Sequence, residues 1–240
     1  SGPAKARNVG IKNAQGGIIF FTDDDCVVPP DWIKTLAKEY IENPDIAGAG
    51  GWYKYDETAY KSRLARAYIS YMDMLFFDRS QNYWGVDFRT QKIKSKHFFK
   101  NPAGNTSNMS YKKSVLLEMG GFDEIIRFVG YVDWELKKRI AALGYELVYT
   151  PYFVSHQKPL TVMDIAMKFF NRGRGRFHLV SKNPELLKYY SPSITTLKKK
   201  HYMRGVDFFV RMVMLIELVY GSLGWWRQKL AETAEKFPPR

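Results

Sequence analysis

One stretch constrains this chain more than any other. Gly17-Ile18-Ile19-Phe20-Phe21 runs straight into Thr22-Asp23-Asp24-Asp25. The apolar run is short, β-branched and aromatic, and Gly16-Gly17 opens it. It therefore reads as a strand buried on both faces, central in a mostly parallel sheet. Ligands of open α/β sheets bind beyond the carboxyl ends of the strands, which is where the three carboxylates stand. Adjacent carboxylates repel one another unless a cation or hydrogen-bond donors offset the charge. Hard cations such as Mg2+ take oxygen ligands and keep substrate phosphates in their shell. On the triplet alone, a solvated acidic turn stays open as the other reading.

The remaining composition narrows the class. At 240 residues the chain can bury a full core, and 45% apolar with 16% aromatic residues excludes a disordered protein. A net charge of +13 calls for an anionic partner: phosphates, nucleic acid or an acidic membrane surface. Cys26 is the single cysteine, so an internal disulfide framework and most cysteine zinc sites are excluded.

Ala4 to Ala14 offers a small-residue helix carrying Arg7 and Asn8. Pro29-Pro30-Asp31 reads as a turn with Asp31 as N-cap, followed by a helix from Trp32 to about Glu42 that Asn43-Pro44 ends. Ile46 to Tyr53 is a glycine-spotted strand, and Ala59 to about Asp78 a helix. Residues 79–102 are basic and aromatic (Trp84, Lys92, Lys94, Lys96, His97, Lys100) and resist assignment; they read as a functional loop or an irregular hairpin. Ala103 to Tyr111 is strand-like, Lys113 to Met119 a short helix closed by Gly120-Gly121. Asp133 opens an amphipathic helix with Leu136, Ile140 and Leu143, where by itself it reads as an N-cap. Glu146 to Tyr149 is a strand, and Pro151 leads to His156, by itself an ordinary histidine.

No single motif here is specific, but the order and spacing are. Gly2-Pro3-Ala4-Lys5-Ala6-Arg7-Asn8-Val9-Gly10-Ile11, then Phe21-Thr22-Asp23-Asp24-Asp25, then Asn108-Met109-Ser110-Tyr111 with Gly120-Gly121-Phe122-Asp123-Glu124, then Gly130-Tyr131-Val132-Asp133-Trp134-Glu135-Leu136, and finally Tyr149-Thr150-Pro151 through His156, resemble the successive motifs of an inverting family 2 glycosyltransferase. The resemblance covers roughly residues 2 to 177 and implies a GT-A fold: a mixed, mostly parallel sheet flanked by helices, with a C-terminal helical tail. It implies a catalytic core over 1–160 and a basic, amphipathic extension over 161–240. It implies a nucleoside-diphosphate sugar donor, a glycan or lipid-linked acceptor, and a divalent metal, Mg2+ or Mn2+. By motif position, Asp133 is implied as the general base. Asp25, Asp23 and His156 are implied around the metal, Arg7, Asp23 and Asp24 toward the donor, and Asn108 and Trp134 toward the acceptor. Two departures stand out. Val132 occupies the place where the family has Glu before its base. The family's opening strand–helix–strand unit, which forms much of its nucleoside pocket, has no counterpart before Ser1, so the N-terminal strands are expected to be missing and donor binding by residues 1–240 alone to be weak.

The tail carries Asn171-Arg172-Gly173-Arg174-Gly175-Arg176 after an apolar helix around Ile165 to Phe170, a string suited to phosphates or anionic lipid. Lys198-Lys199-Lys200-His201 then leads into a helix from Met203 to Leu230. On a helical wheel Arg204, Asp207, Arg211, Glu217 and Gly221 share one side, and Phe208, Met212, Leu215, Ile216, Val219, Leu223 and Trp226 the other. Central Arg and Glu, each costing up to about 3 kcal/mol in hydrocarbon, argue against a spanning helix. The helix is expected either in a membrane interface, placing the protein in the cytoplasm at the inner face of the membrane, or packed on its own domain or on a partner. Nucleic acid is not the expected partner. Two other function classes remain: a haloacid-dehalogenase-like phosphatase using Asp23 and Asp25, and a non-catalytic basic membrane-binding module, which leaves the Asp23–Asp133–His156 order unexplained.

Overall fold

The computed structural model describes residues 2–77, 87, 89–95, 105–127, 131–187 and 208–236. Two compact units partition the chain. The first comprises Ser1–Ala59, Met72–Glu124 and Asp133–Pro159, the second Tyr60–Tyr71, Ile125–Val132 and Leu160–Arg240.

The first unit is built on a six-stranded mixed sheet. Its strands are β1 (Ile18–Phe21), β2 (Cys26–Val27), β3 (Gly48–Tyr55), β4 (Ile93–Ser95), β5 (Met109–Lys112) and β6 (Leu147–His156). The order is β1-β5-β3-β6-β2, with β4 also on β6. Helices α1 (Pro3–Asn13), α2 (Trp32–Glu42), α4 (Lys113–Glu118) and α5 (Val132–Ala142) accompany it, while α3 (Arg63–Phe77) runs from the second unit into the first. The α/β class and the mixed, helix-flanked sheet are as expected. Strand direction and the place of β1 are not. Among the described strands only β3 and β6 pair in parallel. The reason is β5, which runs antiparallel to both β1 and β3 and stands between them. β1 therefore closes the described order rather than occupying its centre, and of its residues Phe21 is buried while Ile18, Ile19 and Phe20 are half-buried.

Helix α2 spans the residues its apolar pattern predicts and sets Trp32, Leu36 and Tyr40 inward. Asp31 precedes it but makes no capping bond; its carboxylate accepts hydrogen bonds from the Tyr152 hydroxyl and from Thr35 Oγ1. β6 continues straight through Pro151, where a strand end was expected. A bulge opposite Gly51 absorbs the residue that has no N–H to donate, and Gly51 lies so close to Tyr152 O that a Cβ there would sit 1.9 Å away. Within residues 79–102, Ile93–Ser95 forms β4, and Lys92 and Lys94 pair with Glu39 and Glu146 at 2.5 and 3.2 Å. Trp84, Lys96, His97 and Lys100 lie outside the described residues.

Among the described residues the second unit joins two long helices to the first part of α3. α6 runs over Val162–Lys182, far beyond the expected Ile165 to Phe170, because Thr161 and Asp164 form a reciprocal capping box and because its glycines are packed rather than exposed. It crosses α7 (Phe208–Lys236) backbone against backbone. A Cβ on Gly173 would lie 1.8 Å from Gly221 O, and one on Gly224 would lie 1.9 Å from Phe170 O. Arg176, expected to serve phosphates, instead pairs with Glu217 at 2.9 Å and donates to Tyr131 Oη at 2.9 Å, while the Tyr71 hydroxyl bonds the other Glu217 oxygen. Residues 198–201, 204 and 207 lie outside the described residues.

This packing gives one substitution opposite signs at two glycines. Gly10 in α1 has open space around its Cβ position, so Gly10→Ala should stabilise by up to about 1 kcal/mol through helix propensity. Gly173→Ala must push two helix backbones apart and should cost on the order of 1–3 kcal/mol despite the same propensity gain. Paired chemical-denaturation curves check the sign at each position.

Candidate active site

The site is assembled by sheet register. β1 pairs with β5 so that Phe21 faces Met109. Carrying that antiparallel register two residues on brings Ser107 opposite Asp23, and Ser107 Oγ donates to Asp23 Oδ2 at 2.6 Å. The other Asp23 oxygen accepts from Arg7 Nη2 of α1 at 3.2 Å, and the same guanidinium nitrogen reaches Thr106 Oγ1 at 3.1 Å. Asp23 is thereby held from two sides by groups far away in sequence. The chain then turns, with Cys26 N bonded to Asp23 O at 3.1 Å and Asp24 exposed at the turn.

β2 brings the next carboxylate to β6. Cys26 faces His156 in the ladder, and Gln157 N donates to Asp25 O at 2.8 Å. That pairing sets Asp25 Oδ1 3.5 Å from His156 Nε2. Tyr53 and Tyr55 of β3 pack their rings beside His156, with centroids 5.6 and 5.0 Å away. Ligand atoms of Asp23, Asp25 and Cys26 all lie within 4.8 Å of one another. Burial first, then the charges of Asp23 and Asp25, push the Cys26 thiol up to about 12, so it stays protonated beside the carboxylates. What the site offers a cation is therefore carboxylate oxygen from Asp25 with the His156 imidazole next to it, a donor set that suits Mg2+ or Mn2+ rather than a soft metal. Asp23, with both oxygens already bonded, is the less available ligand.

Asp133 stands in the first turn of α5, where its Oδ1 accepts from Trp134 N at 2.9 Å. Burial raises its pKa, opposed by the positive charges of Lys137 and Arg7. Lys137 lies one turn further along the helix, only 1% exposed, with Nζ 4.1 Å above the Trp134 ring. Burial lowers the Lys137 pKa to about 7, against the pull of Asp133. Arg7 thus bonds Asp23 and also acts electrostatically on Asp133, which ties the acidic turn and the α5 carboxylate into one neighbourhood. The helix itself is fixed by Arg139, which pairs with Glu135 at 2.7 Å and donates to the carbonyls of Met119 and Gly121. Asn8 completes the frame: its amide bonds both Phe122 N and Phe122 O, at 2.8 and 2.9 Å.

Of the residues singled out in sequence, Arg7, Asp23, Asp25 and His156 gather at the ends of β1 and β6. Asn108 stands immediately before β5. It is fully buried, its amide accepting from Trp32 Nε1 at 2.8 Å and donating to Trp52 O and Tyr152 O at 2.9 and 2.7 Å. It ties α2, β3 and β6 together. Trp134 is half-buried beneath Lys137. Thr106, Ser107 and Lys137 were not singled out. The β1–β5 register would have found Ser107, and the i, i+4 spacing from Asp133 would have found Lys137.

The sheet, its flanking helices and the carboxylates at its strand ends define a GT-A glycosyltransferase. The profile of the family described as "Glycosyltransferase like family 2" matches residues 1–191, and the chain belongs to that family. It is 30% identical over 122 residues to the glucosyl-dolichyl phosphate glucuronosyltransferase of Haloferax volcanii, covering 51% of this chain and 34% of that protein. It is 31% identical over 58 residues to glycosyltransferase GlyA of Streptococcus pneumoniae, covering 24% of this chain and 8% of that protein. The chain thus spans about a third or less of the length of these curated relatives. Among solved structures, the mannosyltransferase PcManGT of Pyrobaculum calidifontis, in complex with GDP-Man and Mn2+, superposes with a TM-score of 0.50 at 13% identity, over 100% of this chain and 68% of that one. GalNAc-T7 with UDP, GalNAc and Mn2+ gives 0.50 at 14% identity, over 99% of this chain and 45% of that one. Family membership sets aside the phosphatase reading of Asp23 and Asp25.

Proposed function

We propose that residues 1–160 form the catalytic core of a metal-dependent, inverting glycosyltransferase, with residues 161–240 as its helical extension. The donor is a nucleoside-diphosphate sugar, in keeping with the GDP-Man and UDP complexes of the structural neighbours. The acceptor is a hydroxyl of a glycan or a lipid-linked sugar, in keeping with the dolichyl phosphate relative. Such an acceptor would hold the enzyme at a membrane, with the cytoplasmic inner face as the expected location.

The observation that carries this reading is the gathering, in a chain of this family, of Arg7 bonded to Asp23 at 3.2 Å and Asp25 3.5 Å from His156. Asp25 and His156 would hold the divalent ion, which as a Lewis acid offsets the charge developing on the diphosphate. Asp23, steadied by Arg7 and Ser107, faces the donor, and Asp24 extends the same acidic turn. Asp133 accepts the proton of the acceptor hydroxyl as that oxygen bonds to the anomeric carbon. The bond from that carbon to the diphosphate oxygen breaks with its electron pair on the leaving group, and direct displacement inverts the centre. Burial raises the Asp133 pKa, in the direction a general base needs, and the charges of Lys137 and Arg7 oppose that rise. Calorimetric titration of GDP-mannose and of UDP into the intact enzyme, with and without Mn2+, tests the reading: binding that survives full chelation unchanged would overturn it.

Lys137 gives this scheme a pH signature. An opposite charge close by lowers a carboxyl pKa by about 1–3 units. Removing it in Lys137→Met lets burial act unopposed from that side, so the Asp133 pKa rises. The acid limb of the rate profile should then move up by roughly one unit or more. Superimposable profiles for the two proteins would remove Lys137 from this role.

A further inference from the structure

We propose that the outward face of α7 docks on an anionic lipid bilayer. The helix is packed with its polarity reversed. Its polar and small residues turn toward α6: Glu217, 3% exposed, bonds Arg176; Gln228 meets Arg174 Nε at 3.4 Å; Glu232 meets His178 at 3.3 Å; Gly221 and Gly224 admit the α6 backbone. Val213 and Trp225 are buried, Trp225 against Phe177 of α6, but a row of other apolar residues turns the other way. Met212, Leu215, Val219, Leu223, Trp226 and Leu230 follow one another three or four residues apart and are between 38% and 69% exposed. The stripe they form is about 27 Å long. An ordinary surface helix buries its apolar stripe and shows its polar one. Here the glycine crossing fixes the rotation of α7, so the apolar stripe has no alternative but to face outward.

Charge selects the occupant. Among the described side chains of α7, the acidic ones, Glu217 and Glu232, lie on the α6 side. The charged groups that border the stripe are Arg211 and Lys229 on one flank and Arg227 on the other, all exposed. Lys229 Nζ sits 4.7 Å above the Trp226 ring at the end of the stripe. A second copy of this helix would oppose basic flank to basic flank, a like-charge arrangement that disfavours pairing. An anionic bilayer meets both features: headgroups for the flanks, the acyl boundary for the stripe, and the headgroup level for an exposed tryptophan. Among the described residues no helix is long and apolar enough to cross a membrane, so the contact lies in the interface plane. The inference deepens the proposed membrane-side role, yet it is read from the helical pair and not from the reaction. Vesicle binding by a chain that transfers no sugar would overturn the transferase reading and leave this one standing.

The experiment is flotation of the full chain with vesicles of phosphatidylcholine alone and of phosphatidylcholine mixed with phosphatidylglycerol. Expected are at least about tenfold stronger partition into the anionic vesicles and its loss as salt rises. Leu215→Ser, Leu223→Ser and Trp226→Ser together should abolish binding to both vesicle types with circular dichroism unchanged, the residues being already exposed. Arg227→Gln with Lys229→Gln should lower anionic binding roughly fivefold per charge and leave neutral binding alone. Equal binding to both vesicle types, no binding at low salt, or a sedimenting dimer that the serine variant dissolves would overturn the proposal.

Discussion

Asp133→Asn is expected to lower turnover by at least about 100-fold while donor affinity stays within a factor of about two. The substitution isolates the proton-accepting step. Asparagine keeps the side-chain shape and an oxygen for the Trp134 N–H, so that bond in the first turn of α5 is retained. The lost charge would normally strand Lys137 in a buried site, at a cost of several kcal/mol. That cost is blunted here because the Lys137 pKa is already down to about 7. Without its partner, Lys137 sheds its proton and remains buried as a neutral amine. The fold therefore survives a change that removes the base, and equal melting temperatures beside collapsed turnover are the combination to look for. Turnover within a few-fold of the parent would show that another group takes the proton.

Asp25→Ala should abolish activity together with divalent-ion dependence. Asp25 is the carboxylate of the acidic turn that faces His156, whereas Asp23 is bonded by Arg7 and Ser107. Removing Asp25 leaves one imidazole and one committed carboxylate, too few oxygen donors for a hard cation that favours octahedral ligation. Metal affinity should fall by at least about 100-fold, read by calorimetry with nucleotide present. Asp23→Ala tests the division of labour. It should weaken donor binding more than metal binding, because its loss frees Arg7 and Ser107 rather than a coordination position. Unchanged metal affinity in Asp25→Ala would move the ion elsewhere.

What could be read from sequence follows the range of the forces involved. β1, α2 and α4 were legible because short apolar periods and neighbouring Gly, Pro and Asn residues act within a few positions. The carboxylates were legible because their spacing is local. The partners of Asn108, a tryptophan ring and two carbonyls, were not legible because three distant elements bring them together. Ser107 and Thr106 were invisible until the β1–β5 register was known. The strand directions escaped because apolar content says that a strand is buried, not which neighbour it pairs with. For α7 the helical wheel separated Glu217 and Gly221 from the apolar stripe but put Arg211 with them, although it flanks the stripe; which face turns inward is set by Gly173, Gly221 and Gly224, whose close packing no local pattern shows.

The β1–β5 ladder works as a ruler. Side chains on a strand alternate faces, so gaining or losing one residue between Ser107 and Met109 would swing the serine hydroxyl to the opposite side of the sheet and leave the Asp23 oxygen it serves without its donor. Connecting segments elsewhere in the fold can change in length without disturbing this offset. The few residues between the hydroxyl and the ladder form a fixed gauge against which every such change has to be made.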